Sequence, residues 1–365
     1  MPGGDQPIRV LLIGPSLRKL GGQAIQARRL LESFRTMPEV RPSFLPIDPA
    51  LPGPLALLQR VRFLRTIATE LAYLFSLLAR IPRVEIVHVF SASYFSFLLA
   101  PAPAIILGRL FGKRVVLNYR SGEADDHLER WGWHAKPIMR LAHTIVTPSE
   151  YLVEVFARHG LRANAVENFV DLAAIPFRRR ERPGPRFLAN RNFEKLYNVG
   201  CVVRAFARIQ GEVPEASLTL VGEGRERDAL RTLVAELGLR GVTFAGVVPP
   251  GEMARLYGEA DVYLNAPDID NMPNSVIEAF AAGLPVVSTR AGGIPFVVSD
   301  GENGLLAPVG DDAALARAAL RVLTEPGLAG RLTAAAHARV VERYTWDSVR
   351  VRWLALYRRP GPSDR

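Results

Sequence analysis

Short apolar runs rich in β-branched residues alternate with longer helical patterns, and this alternation constrains the fold more than any other feature. In the first half the strand-like runs cover residues 9–14, 85–90, 114–119 and 144–149. In the second half they cover residues 216–224, 241–248, 261–267 and 283–289. The runs are bounded by Gly, Pro or Ser and are apolar nearly throughout, as parallel strands covered on both faces must be. The sequence therefore predicts an α/β protein with parallel sheets.

A chain of 365 residues is longer than a single hydrophobic core usually supports. Two successive α/β series with right-handed crossovers predict two Rossmann-like, doubly wound domains facing a central cleft. We place the first domain at 1–172, the second at 173–345, and a C-terminal helix at 346–365 that crosses back to the first domain. Ligands bind beyond the carboxyl ends of parallel strands, so the cleft is the expected site.

The net charge of +10 is distributed unevenly. Residues 1–180 hold 24 Lys and Arg against 14 Asp and Glu, whereas residues 181–365 hold 22 against 22. The excess in the first half favours an anionic partner there. No zinc spacing, basic heptad or aromatic–basic RNA motif is present, so nucleic acid is not expected. An anionic membrane, a phosphate-bearing substrate or an arginine-rich genome composition each explain the excess.

The sequence favours a cytoplasmic protein. Cys201 is the single cysteine, so no intramolecular disulfide can form, and the N-terminus has no signal-peptide pattern. Residues 86–108 lack formal charge, but His88 and the Pro101–Pro103 segment favour a buried strand and helix over a membrane span.

Residues 55–82 form a strongly apolar helical pattern interrupted and flanked by arginines. One interpretation is an ordinary core helix of the first domain. The other is reversible, peripheral binding to the inner face of an anionic membrane.

Two segments suit an anionic ligand. Gly21 and Gly22 precede a helix after the first strand, where backbone amides and the helix dipole favour an anion, although a plain strand–helix turn explains them equally well. Arg191 and Lys195 follow a predicted strand and suit a diphosphate, with two solvated surface cations as the alternative.

The stretch DNMPNSVIEAFAAGLPVV, residues 270–287, places a carboxylate, Glu278, in a helix of small and apolar residues. We expect Asn271 to cap this helix, Pro273 to lie in its first turn and Gly283 to end it. Val276, Ile277, Phe280 and Ala281 form the predicted packing face, whereas Glu278 is expected to point elsewhere together with Ser275 and Ala282. A carboxylate there suits paired sugar hydroxyls, although the helix dipole also stabilises an acid near a helix start.

The six histidines show no metal-ligand spacing with Cys or carboxylates, so no metal and no cofactor are expected.

Several ordered motifs resemble the retaining nucleotide-sugar glycosyltransferases of family 4, whose fold is called GT-B. The stretches that carry the resemblance are residues 167–171, 221–239, 244–264, 277–311 and the closing 344–357. The first half matches more loosely, through the loop at 21–26 and the strand at 85–90. The resemblance implies a hexosyltransferase-type enzyme of cell-envelope polysaccharide biosynthesis, which uses a UDP- or GDP-sugar as co-substrate and a glycan or lipid-linked acceptor.

The resemblance also implies roles for the acids and the loop between them. Glu278 would hold the donor ribose hydroxyls, and Asp270 would lie beside the transferred sugar. The segment Asn271, Met272, Pro273, Asn274 and Ser275 would lie near the sugar and the diphosphate. Family members usually carry Glu where this chain has Asp270, whose side chain is one methylene shorter.

For the diphosphate and the base, the resemblance implies Arg191 and Lys195 as the cations, Gly22 as a backbone contact from the other domain, and Val247 beside the base. Two further departures from the family pattern occur. Arg120 aligns with a histidine near the sugar, and an arginine cannot act as a base at neutral pH. The spacing from Arg191 to Lys195 is one residue short.

These departures leave a rival to the enzyme, namely an inactive nucleotide-sugar-binding homologue that acts as a partner subunit. A related GT-B enzyme acting on phosphorylated free sugars is a second alternative.

Overall fold

The computed structural model describes residues 6–17, 22–50, 62–91 and 93–358, and within them the chain divides into two units. Unit 1 comprises Met1–Val166 and Arg350–Arg365, and unit 2 comprises Glu167–Val349.

In unit 1 the described residues form a six-stranded parallel sheet of order β2-β1-β3-β4-β5-β6. Its strands are β1 Ile8–Gly14, β2 Val40–Pro46, β3 Ile86–Ser91, β4 Arg114–Tyr119, β5 Thr144–Thr147 and β6 Asn164–Ala165. All six residues of β3 and all four of β5 are buried, as strands covered by helices on both faces require.

The helices of unit 1 are α1 Gly22–Arg35, α2 Arg62–Arg80, α3 Tyr94–Leu99, α4 Pro101–Leu110, α5 Ala124–Arg130, α6 Gly132–Met139 and α7 Glu150–Arg158, with a 3-10 turn at Ile81–Arg83. Residues 86–91 form a strand and 101–110 a helix, as expected from their sequence. Among the residues that the structure describes, no helix combines the length and apolarity needed to span a bilayer.

Helix α15, Trp346–Arg358, ends within unit 1. Trp353 and Tyr357 pack their rings against Phe34, at centroid distances of 6.3 and 5.4 Å. Arg114 donates hydrogen bonds to the carbonyls of Tyr357, at 2.8 Å, and of Leu356. These carbonyls belong to the last turn of the helix and have no partner inside it, so Arg114 caps α15 from the sheet.

Unit 2 contains a second six-stranded parallel sheet within the described residues, of order β12-β11-β10-β7-β8-β9. Its strands are β7 Arg186–Asn190, β8 Ser217–Val221, β9 Val242–Gly246, β10 Val262–Asn265, β11 Val286–Thr289 and β12 Leu305–Ala307. From β7 the chain builds outward through β8 and β9, then returns to the other side of β7 with β10. The junction between β7 and β10 is therefore the switch point of the topology, where open α/β sheets bind ligands.

The helices of unit 2 are α8 Val199–Glu212, α9 Arg227–Glu236, α10 Pro250–Glu259, α11 Asn274–Ala281, α12 Ile294–Val297, α13 Asp312–Thr324 and α14 Leu328–Arg343, with 3-10 turns at Leu172–Ala174 and Lys195–Tyr197. One core cluster joins α8, α13 and the inner strands, and a second surrounds α11. All seven helical residues from Ser275 to Ala281 are buried, so α11 is a central helix of unit 2.

Each strand expected from the sequence overlaps an observed one. The sequence reasoning missed β2, β6 and β12. In β2, Pro42 and Pro46 interrupt the apolar pattern, whereas β6 and β12 have only two and three residues. Proline is tolerated there because β2 is an edge strand, where an absent N–H costs no ladder bond on the open side.

Candidate functional site

At the switch point of unit 2, Arg191 follows β7 directly, and Asp270 lies in the loop after β10. The two strands are neighbours, so their carboxyl ends bring these residues together. The Arg191 guanidinium donates to the Asp270 carboxylate through Nη2, and Nη1 donates to Ser275 Oγ at 3.3 Å. Only 11% and 13% of the two charged side chains are exposed.

The surroundings of Arg191 fix its plane. Its guanidinium carbon lies 4.2 Å from the centroid of the Tyr197 ring, a cation–π contact. Its Nε is buried and has no hydrogen-bond partner among the described residues. A buried donor on a cation is costly to leave unpaired, and an anionic ligand would supply the missing acceptor.

Two glycines in the segment after β11 pack tightly against the Asp270 loop. The Gly293 amide donates to the Asp270 carbonyl at 2.8 Å. A Cβ at Gly292 would lie 2.3 Å from the Asp270 carbonyl oxygen, and one at Gly293 would lie 2.0 Å from that of Asn271. Side chains are excluded at both positions, so the Asp270 carboxylate is presented by a rigid backbone.

Helix α11 begins later than its sequence suggests. It starts at Asn274 with Pro273 as its N-cap, in extended conformation with ψ of 120°, and no side chain caps it. The predictions that Asn271 caps the helix and that Pro273 lies in its first turn are wrong. The physical reason is that Pro273 is extended rather than helical, while the Asn271 amide donates to Asp270 Oδ1 at 2.8 Å. The predicted end is confirmed, since Gly283 follows the C-cap with φ of +72°.

The loop before α11 is held from the other side by Asn168. Its Nδ2 donates to the Met272 carbonyl at 2.9 Å and to Asn274 Oδ1 at 2.8 Å. Met272 and Asn168 are both buried. The loop residues 271–274 are therefore fixed before any ligand binds.

Glu278 lies in the second turn of α11, and its carboxylate accepts a hydrogen bond from Tyr257 at 3.0 Å. Asn190, the last residue of β7, donates to the same Tyr257 oxygen at 3.2 Å. Burial, and then the nearby Glu278 carboxylate, raise the pKa of Tyr257 well above its ordinary value, so this phenol keeps its proton.

Ala282 belongs to the apolar cluster around α11, so its expected separation from the packing face is wrong, whereas Ser275 and Glu278 bond to Arg191 and Tyr257. Ser275, Glu278 and Ala282 are buried together with the apolar residues, because α11 is enclosed by the second core cluster of unit 2. Glu278 is thus a carboxylate 9% exposed and oriented by its neighbours.

The glycine-rich turn after β8 packs against the backbone of Arg191. Gly222 has φ of +141°, and a Cβ there would lie 2.0 Å from the Arg191 carbonyl oxygen. The Arg191 amide donates to the Val221 carbonyl at 3.0 Å. The turn is therefore in contact with the strand end that carries Arg191.

The remaining predicted donor residues of unit 2 are exposed. Lys195 is exposed at the start of the 3-10 turn whose last residue is Tyr197. Val247 directly follows β9 and is 52% exposed. Their roles remain predictions.

Unit 1 contains the other predicted residues. Gly22 is the first residue of α1 rather than part of the segment before it. Gly21 lies outside the described residues. Arg120 directly follows β4, where it donates to Asn118 Oδ1 at 3.3 Å and lies over the Phe90 ring, 5.7 Å from its centroid. Burial lowers the pKa of Arg120 to about 10, so the side chain is still cationic at neutral pH.

Arg120 is the first member of a buried polar chain. Arginine only donates, so Asn118 Oδ1 accepts from it and Asn118 Nδ2 donates to His88 Nε2, at 3.0 Å. His88 therefore carries its proton on Nδ1, which donates to the Tyr357 oxygen at 2.6 Å. Burial, and then the charge of Arg120, lower the pKa of His88 to about 3, so the imidazole is neutral.

The sequence reasoning did not single out Tyr257, Asn168, Tyr197 or Asn118. Asn118 and Asn190 could have been found, because each is a polar residue at the carboxyl end of an otherwise apolar strand. Tyr257 carries no such signal. It lies 21 residues before Glu278 in a different helix, and only the packing of α10 on β7 and α11 brings the two together.

In the described residues, no group of three or more His, Cys, Asp or Glu side chains is placed to hold a metal ion. The expectation of a reaction without metal remains a prediction.

Comparison with known proteins gives a family match that lies inside unit 2. Residues 184–325 match the family described as "Glycosyl transferases group 1". The glycogen synthase of Mycobacterium tuberculosis is 28% identical over 279 residues, which are 71% of this chain and 66% of that protein. The lipopolysaccharide core biosynthesis glycosyltransferase LpsE of Rhizobium meliloti is 32% identical over 172 residues, which are 47% of each chain. The chain thus spans less than two thirds of the length of these curated relatives.

Solved structures match over nearly the whole chain. Anabaena Alr3699/HepE, in complex with UDP and glucose, has a TM-score of 0.73 at 16% identity and covers 96% of this chain and 99% of its own. Sucrose-phosphate synthase from Thermosynechococcus elongatus has a TM-score of 0.71 at 20% identity, with coverage of 96% and 98%. These matches confirm the predicted GT-B fold class with two Rossmann-like units. The family match confirms the resemblance to group 1 glycosyltransferases over residues 184–325.

Proposed function

We propose that this protein is a retaining glycosyltransferase of family 4, which moves a sugar from a nucleotide-sugar donor to a glycan or lipid-linked acceptor. The observation that carries the proposal is the largely buried Arg191–Asp270 pair at the switch point, with the oriented Glu278 carboxylate on the following helix. All three residues lie inside the segment 184–325 that matches the group 1 glycosyltransferases.

The donor is a UDP- or GDP-sugar, bound without a metal or a further cofactor. Glu278 accepts hydrogen bonds from the ribose hydroxyls. The hydrogen bond from Tyr257 already holds its carboxylate in position. Arg191 and the backbone amides at the start of α11 bind the diphosphate, because a guanidinium and a helix N-terminus both favour phosphate oxygens. Lys195 adds charge to the diphosphate, and Val247 contacts the base.

In the transfer step, the bond between the anomeric carbon and the diphosphate oxygen breaks. The acceptor oxygen forms its bond on the same face, and its proton passes to the departing phosphate. Arg191 and the dipole of α11 stabilise the charge that develops on the leaving group. Asp270 holds the Arg191 guanidinium in place and lies beside the transferred sugar.

A glycan or lipid-linked acceptor of the cell envelope is supported by the kind of relatives found. They include LpsE and a phosphatidylinositol monomannoside mannosyltransferase of Mycolicibacterium smegmatis, 25% identical over 281 residues.

The test combines a thermal-shift screen with UDP-, GDP- and ADP-sugars and a transfer assay against soluble and lipid-linked acceptors. We expect one donor class to raise the melting temperature and to be consumed, with retained anomeric configuration in the product. Tight donor binding without turnover on any acceptor would instead support a binding subunit.

A further inference from the structure

Helix α2 presents an apolar stripe to solvent. Ile67, Leu71, Phe75 and Leu78 are 60%, 51%, 69% and 45% exposed. Their spacing of four, four and three residues places them on one face of the helix. Four large apolar side chains that follow one another along one exposed face form a patch rather than scattered surface residues.

The opposite face of the same helix is anchored in unit 1. Tyr73 and Leu77 are fully buried in its core, and the Tyr73 hydroxyl donates to the Ala100 carbonyl at 2.9 Å. The core-helix interpretation of this segment therefore accounts for one face of α2 and leaves the exposed stripe unexplained.

The end of α4 extends the apolar surface. Leu110 is 75% exposed and Phe111 is exposed beside it. Lys113 donates to the Pro82 carbonyl at 2.9 Å, which places the end of α4 beside the end of α2. We call Ile67, Leu71, Phe75, Leu78 and Leu110 the apolar face of unit 1.

Basic residues flank the apolar face. Arg65 lies at its beginning, and Arg80 and Arg83 at its end, and all three are exposed. Glu70 is the only acid in α2, and burial raises its pKa, which reduces its tendency to ionise. A stripe of apolar side chains with arginines at both ends is typical of helices that lie in the plane of a membrane surface.

We propose that the apolar face of unit 1 binds the surface of an anionic lipid bilayer. The charges favour lipid over a second copy of the chain, because an isologous contact through this face would bring its arginines together. Anionic head groups instead neutralise the arginines while the apolar side chains enter the acyl boundary. This inference does not depend on the transferase reaction.

The experiment is flotation of the full chain with vesicles of neutral phosphatidylcholine, with and without about one third anionic phosphatidylglycerol, at low salt. We expect co-flotation with anionic vesicles and little with neutral ones. The double variant Leu71→Ser, Phe75→Ser should weaken binding by about ten-fold or more, since two apolar side chains no longer enter the lipid. Val351→Ser on α15, at a side chain 62% exposed, is the matched control and should bind as wild type does.

A second variant tests the charges. Arg65→Glu with Arg83→Glu leaves the apolar stripe intact and should also reduce binding to anionic vesicles. Circular dichroism and melting temperature check that each variant is folded, which is expected because the substituted side chains are exposed. The proposal is overturned if wild type does not float with anionic vesicles or if the double serine variant floats equally well. It is also overturned if light scattering shows a dimer that this variant dissociates, because the face then joins two copies.

Discussion

The Tyr257 hydroxyl donates a hydrogen bond to Glu278 Oε2 at 3.0 Å, and both side chains are buried. Tyr257 belongs to α10 and Glu278 to α11, so the contact joins two helices that flank the strand end carrying Asn190. A buried carboxylate held in this way loses little conformational freedom when a ligand binds, because its orientation is already set.

Tyr257→Phe should weaken donor binding more than it destabilises the fold. The ring still fills its place, but Glu278 loses the donor that orients it. We expect an increase in the donor dissociation constant of about five-fold and a stability loss of about 1 kcal/mol. Calorimetric titration and chemical unfolding measure the two effects. Tyr73→Phe in unit 1, which also removes one buried tyrosine hydrogen bond, should lower stability similarly and leave donor affinity unchanged.

Glu278→Gln should reduce donor affinity by about ten-fold, because a neutral amide accepts hydrogen bonds more weakly than a carboxylate. The glutamine keeps the shape of the side chain and an acceptor for Tyr257, whereas Glu278→Ala would leave the Tyr257 proton without its acceptor. The melting temperature should change by only a few degrees. The control is Glu259→Gln, at an exposed carboxylate paired with Arg255 at 2.6 Å, and it should bind donor normally. Equal donor affinity in wild type and Glu278→Gln would exclude Glu278 from the ribose site.

Arg191→Lys should lower kcat by about 100-fold, the typical effect of removing one group that stabilises developing charge. Lysine keeps the positive charge but cannot reach Asp270 and Ser275 together or stack on Tyr197 as a planar fork. Steady-state kinetics with a saturating donor measures the change. Arg208→Lys, at an exposed arginine that contacts Asp312 at 2.6 Å, is the matched control. A variant with unchanged kcat and a raised KM would show that Arg191 only binds the donor.

The strand pattern was readable from the sequence because parallel strands such as β3 and β5 are buried on both faces and therefore consist of apolar residues. Arg191 was also found, since it follows a strand end, and Asp270 was found through the resemblance to the family. Their direct pairing was not predicted, because it depends on β10 returning to the side of β7, which residue patterns do not reveal.

The start of α11 shows a different limit. Local preferences placed Asn271 at the cap, but the amide of Asn271 binds Asp270 and Pro273 adopts the extended conformation before the helix. Gly293 also packs closely against this loop, since a Cβ there would lie 2.0 Å from the Asn271 carbonyl oxygen. The capping preference of Asn271 was therefore outweighed by contacts that a residue pattern does not reveal.

The buried His88 should make the protein less stable as the pH falls below about 6.5. Its pKa is lowered to about 3 in the folded chain from an ordinary 6.5, so the unfolded chain takes up the proton first. The contribution of neutral His88 is complete above pH 6.5 and is lost progressively toward pH 3, at about 1.4 kcal/mol per pH unit for one proton. The pKa values of His127 and His143 are each lowered to about 4, so both residues make the free energy of unfolding fall more steeply as the pH decreases.

His88→Gln isolates the contribution of His88 to the pH dependence of stability, because glutamine does not titrate. The variant should be less stable than wild type at pH 7, where it disturbs the contacts to Asn118 and Tyr357. Its unfolding free energy should nevertheless fall less steeply between pH 6.5 and 5, by about one proton's share of the slope. Urea unfolding at pH 7, 6 and 5 measures both quantities. Parallel pH dependences for wild type and variant would contradict the assignment, because they would mean that His88 takes up its proton equally in the folded and unfolded chain.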